Sequence, residues 1–586
     1  MPDAAVASAF QIEIDGQPLD SAMESSVIHV VVDDHLHLPD TFVITFQESP
    51  EMNAAEKARV KVGSKVKISA TALGDPSPAP LISGEVTALE GEYRESKAPV
   101  LLVRGYDASH RLTRGRISKV HAQKKYSDIA GDIAGAAGLQ RGQIDDSGSV
   151  KEFVHQAAQT DWDFLRGLAR EIGFEVAVRD GKLDFRNPPE AGAAPGAGDL
   201  ASSDPLQLVF GQELLEFRPR VTAGGQVGQV TVKGWDIGAK RDLTAAKPAA
   251  TTGAQLPDTP ASLAAAFGSP GHVTGDRPRH TQAEVEAAAK AIAEQIGSAF
   301  AEAAGIARGN PKIKAGAAVN VSLVANPFAG RYTLTHTRHV YEMRNGYRTH
   351  FEISGRQERS LLGLTSGGGG GAGGDGVATP GLGGVQVGIV TDNADPQNLG
   401  RVRVRLPYAG VDFVSDWARV VAPGNGASRG FVWIPEVNDE VLVAFHHGSV
   451  REPYVLGGLW NGTDAPPPIE LDGGKLQARK FVSRTGQKIV FSDESGKEGI
   501  LISSADGSMQ VHVDAANKKV VLISDGSGTV EMKSGGSFTI ESQGDVKIKG
   551  VNVEVSASAS AKVSGGTLDL KADGVASVKG SQVTLG

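Results

Sequence analysis

The C-terminal stretch GGSFTIESQGDVKIKGVNVEVSASASAKVSGGTLDLKADGVASVKGSQVTLG alternates apolar and polar residues in short bursts punctuated by glycine. Glycines fall at Gly536, Gly544 and Gly550, then at Gly565, Gly574, Gly580 and Gly586. Between them lie Phe538/Ile540, Val546/Ile548, Val551/Val553/Val555, Leu568/Leu570 and Val583/Leu585, each set spaced by two. That spacing puts each set on one face of a strand. Repeats of about six to eight residues hold one strand apiece, whereas a single-chain solenoid needs about 20 residues or more per coil. One strand per repeat can bury its apolar face only if several copies of the chain wind together. Three copies suit a prism filled with side chains, so the pattern predicts an interlaced trimer that folds only as it assembles. Its interior would be Phe538, Ile540, Val546, Ile548, Val551, Val553, Val555, Leu568 and Leu570. The Ser/Ala-rich run at Val551–Ser564 and the slip in rhythm at Val575/Val578 predict a regular helix to about Val555 and a thinner one above it.

A chain of 586 residues should hold several domains. A net charge of -9 argues against a protein whose main task is binding phosphate backbones, so no nucleic-acid partner is expected. Cysteine is absent, which removes disulfides, thiolate nucleophiles and Cys-based zinc sites together. Aromatic residues make up 5% of a chain with 74 glycines, the composition of turn-rich β structure. The start, MPDAAVASAFQIEIDG, has no basic flank before an apolar core, and no apolar run reaches about 18 residues. The expectation is synthesis and assembly in the cytoplasm without a signal peptide.

Two seams divide the chain. SGGGGGAGGDGVATPGLGG, residues 366–384, is too glycine-dense to fold and reads as a linker. TDAPPP, residues 463–468, can neither continue a helix nor sit in mid-sheet. In the first piece, residues 1–365, DTFVITFQ and SKVKISATAL read as strands. QTDWDFLRGLAREIGFEVAVRDGKLDF carries a helical stripe at Trp162, Leu165, Leu168 and Ala169, which Gly173 ends before a hairpin around Arg179–Gly181. TQAEVEAAAKAIAEQIGSAFAEA reads as a helix with Thr281 as cap and Glu284 closing a capping box. Residues 241–276 read as a long loop. The second piece, 385–464, holds about five short strands, the pattern of an OB-fold barrel.

The motifs NLGRVRVRLPY, DWARVVAPGNGASRGFVWIPEVNDEVLVAFHH and PYVLGGLWNG, within residues 398–462, resemble the OB-fold segment of VgrG-type and phage baseplate spike proteins. The first piece resembles the tail-hub half of the same family, phage late control protein D, through QTDWDFLRGLAREIGFEVAVRDGKLDF, QVTVKGWD and AGRYTLTHTRHVYEMRNGYRTHF. The resemblance implies a mainly β fold with some α: tail-hub β-barrel domains over 1–365, the linker 366–384, an OB-fold over 385–464 and a triple-stranded β-helix (β-prism) spike over 465–586. It implies a non-enzymatic homotrimer at the tip of a contractile injection system, joining tube and baseplate proteins at the hub to a needle that touches the target membrane transiently. A PAAR-type tip protein would dock on Val583, Leu585 and Gly586. SDIAGDIAGAAGL and QTDWDFL look more like spikes of extracellular phage-tail-like particles than of a type VI secretion system. Some spikes in the family carry a lysozyme domain between barrel and prism; the short segment between Trp460 and Phe481 leaves no room for one.

Residues that could carry chemistry are few. Asp33, Asp34, His35 and His37 in DDHLH could form a metal cluster, but structural sites need four ligands and the segment reads as a polar loop. His446 and His447 would face opposite sides of a strand, and His512 would point away from Val511 and Val513, leaving an axial ion in the prism as its one metal role. Arg401, Arg403 and Arg405 share a strand face; with stacking aromatics sparse nearby, pairing with a neighbouring subunit fits better than oligonucleotide binding. GWD at Gly234–Asp236 and Asp161/Asp163 around Trp162 suggest paired glycosidase carboxylates, but Asp161 fits a helix cap and first-turn charge better. No catalytic residue, cofactor or metal is therefore expected; a cell-wall-degrading enzyme on a phage-tail scaffold stands as the alternative.

Overall fold

A computed structural model of the chain describes residues 10–48, 53–73, 75–196, 204–275, 277–356, 384–408, 413–584 and 586. It divides into two compact units, Met1–Ala465 and Pro466–Gly586.

The first unit is organised by an 11-stranded sheet in which neighbouring strands run antiparallel. Its N-terminal contribution includes Val27–His35, Thr41–Gln47, Lys65–Ala72 and Lys97–Asp107; its C-terminal contribution includes Ala301–Arg308, His336–Glu342 and Gly346–Ile353. The two halves meet where Val27–His35 pairs with His336–Glu342, with His35 opposite His336 and Asp33 opposite Arg338. Period-two alternation aims Phe42, Ile44 and Phe46 into a core with Ile68 and Val103, all essentially water-free. DDHLH is thus not a loop: Asp33, Asp34 and His35 complete a central strand. The run VIHVVV carries strand propensity straight into the polar residues.

Between the halves of the sheet lie smaller layers. The helix Asp161–Ile172 buries Trp162, Leu165, Leu168 and Ala169 and stops at Gly173, whose φ of 78° is left-handed. Its cap is Thr160, whose side chain accepts from the Asp163 N–H; Asp161 is the first helical residue, one position later than the sequence suggested. The hairpin Glu175–Arg179/Lys182–Arg186 turns on Asp180 and Gly181, both at positive φ. Thr281 and Glu284 form the expected capping box of Gln282–Ser298. Residues 241–276 are not one loop. Arg241–Pro248 pairs with Gln229–Asp236, a short helix follows at Pro260–Ala265, and Gly271–Thr274 adds a third strand. Leu243 and Ala245 are the buried face of that hairpin, covered by Gln282–Ser298. Ala, Thr and Pro gave too little hydrophobic contrast for the alternation to show in the sequence.

The 366–384 stretch, apart from Gly384, lies outside the described residues. Beyond it, a five-stranded sheet is ordered Arg403–Arg405, Val385–Asp392, Glu440–Phe445, Pro453–Gly458, Arg419–Val420. Its core of Val390, Val402, Val404, Leu406, Val441, Val443 and Val455 is fully buried. Phe431, Val432 and Trp433 lie outside the strands, with Val432 84% exposed.

After a short hairpin, Leu471–Asp472/Lys475–Leu476, the second unit forms a five-stranded antiparallel meander, Ala478–Val482, Lys488–Ser492, Gly499–Ser503, Met509–Asp514 and Lys519–Ser524. This differs from the uniform one-strand-per-repeat ribbon expected across 465–586. In this part the bursts are long enough to pair with one another within the chain.

Candidate functional site

The meander presents one face made almost wholly of large apolar side chains. Cross-strand register aligns Phe481 with Ile489, Phe491 with Ile500, Ile489 with Ile502, Ile502 with Val511, Val511 with Leu522, and Val513 with Val520. All of these are exposed in the single chain, from 39% at Ile489 to 70% at Val520. Nine apolar side chains in register on an uncovered face exceed what a monomeric surface ordinarily carries. At about 1.5–3 kcal/mol for complete burial of one such side chain, covering the remaining half of nine is worth roughly 10 kcal/mol per chain. His512 stands on the opposite face, as its neighbours Val511 and Val513 require.

Past Gly528, among the described residues, no helix or strand forms and no backbone-to-backbone hydrogen bond is made within the chain. The apolar residues predicted to line the prism are all exposed: Phe538 62%, Val551 102%, Leu570 76%. Ile540, Val546, Ile548, Val553, Val555 and Leu568 are exposed as well, as is Val583; Gly586 is uncovered and Leu585 lies outside the described residues. A segment with neither a ladder nor a core has nothing in its own chain to hold its shape.

A second constellation fixes the barrel to the hub. Arg451 of the barrel reaches Glu171 Oε2 and the Tyr126 hydroxyl, each at 3.1 Å, and Tyr126 donates to Glu171 Oε1 at 2.7 Å. Val120 and Ala157 of the hub join the barrel core, and His155 Nε2 donates to the Val414 carbonyl at 3.2 Å. Burial pushes the His155 imidazole down to about 4, so it is neutral and able to play that role. At the edge of the contact His280 Nε2 lies 2.9 Å from Glu452 Oε1, and the interaction with Glu452 raises the His280 pKa. A histidine raised in the folded state stabilises fully below its ordinary pKa of about 6.5 and ceases to do so as pH rises through the raised value. The melting temperature of the full chain should therefore fall over that window by more than in His280→Ala, and identical pH profiles would remove the pair from the account.

The remaining polar residues sort plainly. Arg401 is paired within its own chain: its Nε and Nη2 lie 3.0 and 2.7 Å from the Asp395 carboxylate. The expectation of an intersubunit partner for it is thereby corrected. Arg403 lies over Phe153 at 4.3 Å and Trp417 at 5.3 Å, so aromatics do stand beside the arginine row. One of them comes from the hub, a contact no local pattern could show. His446 and His447 occupy a 3-10 turn, not a strand, with rings stacked 4.7 Å apart. His37 is separated from the rest of DDHLH; burial, followed by Arg166, Arg170 and Arg356, pushes it down to about 3. Trp235 and Asp236 end a strand, where Asp236 accepts from the Ala239 N–H at 2.9 Å. Asp33 and His35 instead meet His336, a residue that sequence spacing did not bring into consideration.

The first unit thus joins an 11-stranded sheet with smaller α/β layers to a docked five-stranded barrel, and the second presents an apolar-faced β sheet. Residues 4–342 match the family model described as the Alg8 N-terminal domain, and the chain belongs to that family. Residues 386–460 match the type VI secretion system/phage-baseplate injector OB domain. Among curated proteins, the type VI secretion system spike protein VgrG3 of Vibrio cholerae is 30% identical over 112 residues, 18% of this chain and 11% of that protein. The actin cross-linking toxin VgrG1 of the same species is 29% identical over 110 residues, 18% of this chain and 10% of that one. These matches thus span about a tenth of the curated relatives' length. Among solved structures, the Francisella PdpA-VgrG complex in its lidded form has a chain with a TM-score of 0.52 at 10% identity, covering 89% of this chain and 80% of that one. The fold is that of a VgrG-type spike.

Proposed function

We propose that this protein is the homotrimeric, non-enzymatic spike and hub of a contractile injection system. The observation that carries the reading is the second unit. Its sheet exposes an apolar face, and its C-terminal ribbon lacks intrachain pairing among the described residues; two further copies supply both the missing core and the missing hydrogen-bond partners. In the trimer the apolar faces meet at the axis, and Phe538 to Leu570 fill the prism above. A prism cross-linked between chains resists buckling, which suits a part that must transmit axial force into a target membrane. The hub sheet meets tube and baseplate proteins, and the apex at Val583–Gly586 receives a PAAR-type tip protein. The match of residues 386–460 to the injector OB domain supports this reading.

The spike would be assembled in the cytoplasm without a signal peptide and leave the cell as part of a phage-tail-like particle. The sequence identity with VgrG3 favours, as a second reading, a spike that stays with a cell-anchored type VI system. Mass photometry of the full chain is expected to give three copies of a 60.9 kDa polypeptide; a stable monomer would end the proposal. Recovery of the chain with sheared particles from culture supernatant supports the extracellular form, and its retention in the cell envelope supports the other.

A further inference from the structure

The joint between the two halves of the hub sheet holds a cluster of metal-ligating groups that the spike function does not use. Asp33, His35 and His336 each place a ligand atom within 4.8 Å of the others. Antiparallel register sets His35 directly opposite His336, and Asp33 two residues back projects from the same face. His336 Nε2 lies 3.0 Å from Asp33 Oδ1, and the His35 and His336 rings stack with centroids 3.8 Å apart. On the next strand Glu352 sits opposite His336 and brings Oε2 to 3.7 Å from the other ring nitrogen, Nδ1.

We propose that Asp33, His35 and His336 form a binding site for one divalent transition-metal ion, with Glu352 orienting His336. Two imidazoles and one carboxylate are the donor set that zinc or ferrous iron takes, leaving at least one position to water. The carboxylate on the far nitrogen of a ligating histidine is the usual outer partner of such sites, since it fixes the ring and its tautomer. Here Glu352 Oε2, 3.7 Å from Nδ1, would close on the Nδ1–H as Nε2, facing Asp33, takes the ion. Tetrahedral coordination at about 2.0 Å demands ligand atoms closer together than 4.8 Å, which tilting the stacked rings about χ2 supplies. The half-exposed Arg338, whose Nε is 3.6 Å from Asp33 Oδ1, turns to solvent as the ion takes its place. All the groups stand on neighbouring strands, so their backbone positions are set before the ion arrives and only side chains need to move. An ion there would clip together residues 303 positions apart in the chain. The distance in sequence is why DDHLH alone showed too few ligands.

The test is titration of untagged full-length protein with zinc chloride by calorimetry, with a parallel thermal melt. One ion per chain and a raised melting temperature are expected. His336→Gln and His35→Asn should each abolish binding, Glu352→Gln should weaken it 10–100-fold, and His512→Ala should leave it unchanged. Circular dichroism matching the parent protein keeps the negative variants interpretable. Absence of binding by the parent, or binding that survives both histidine substitutions, overturns the site. Neither outcome touches the spike reading, which rests on the second unit.

Discussion

Replacing Ile502 by lysine is expected to convert the proposed trimer to a folded monomer. Ile502 lies in the strand Gly499–Ser503, flanked by Ile489 and Val511 on the adjacent strands, at the centre of the apolar face. In the single chain the residue is 48% exposed, so a lysine there finds water and costs the monomer little. In the assembly three ammonium groups would converge on one axis. Each loses hydration worth several kcal/mol, and none has a counter-charge. That cost, with the mutual repulsion of the three charges and the lost burial of Ile502, offsets most of the roughly 10 kcal/mol per chain gained by covering the face. Mass photometry should show one chain where the parent shows three, with the circular dichroism of the hub retained. His512→Lys, on the opposite face of the same sheet, should remain trimeric. A trimeric Ile502→Lys variant would mean that the apolar face is not what holds the copies together.

Asp395→Ala should cost the barrel about 3–5 kcal/mol, the usual penalty for breaking a buried ion pair. The Asp395 side chain is 3% exposed and that of Arg401 16%. Its carboxylate also accepts from the backbone N–H groups of Gln397 and Leu399 at 3.0 and 2.8 Å, so one side chain closes the whole turn. The Arg401 guanidinium, helped by those N–H groups, holds the carboxyl well below the usual range. A depressed carboxylate stabilises fully above its ordinary pKa of about 3.9, and that stabilisation is lost only as pH falls through the depressed value. Neutral pH therefore reports the whole effect. Urea unfolding followed by the fluorescence of Trp417, which lies near Arg401, should show the barrel transition moving to lower denaturant. A shift worth less than about 1 kcal/mol would place Asp395 with ordinary surface pairs.

These two predictions draw on different kinds of information. In the second unit only the local alternation was legible, and the pairing of its first strands within the chain was not. Alternation by two identifies a strand face, and apolar residues without an in-chain partner identify an assembly surface. Helix ends were legible for the same reason, since a cap such as Thr281 and a stop such as Gly173 act on backbone groups a few residues away. The segment 241–276 failed because Ala and Thr alternate with too little contrast, and its burial comes from a helix that packs on it from later in the chain.

By itself, then, the sequence determined the helix ends at Thr281 and Gly173 and the absence of any thiol chemistry. The tertiary structure alone decided which distant residues meet. It set the arginine of a barrel strand on Phe153 of the hub, bound Arg451 to Glu171, and aligned Asp33 and His35 with His336. Backbone geometry propagates pattern over a few residues, whereas contacts across hundreds are fixed by sheet register and by which cores close on one another.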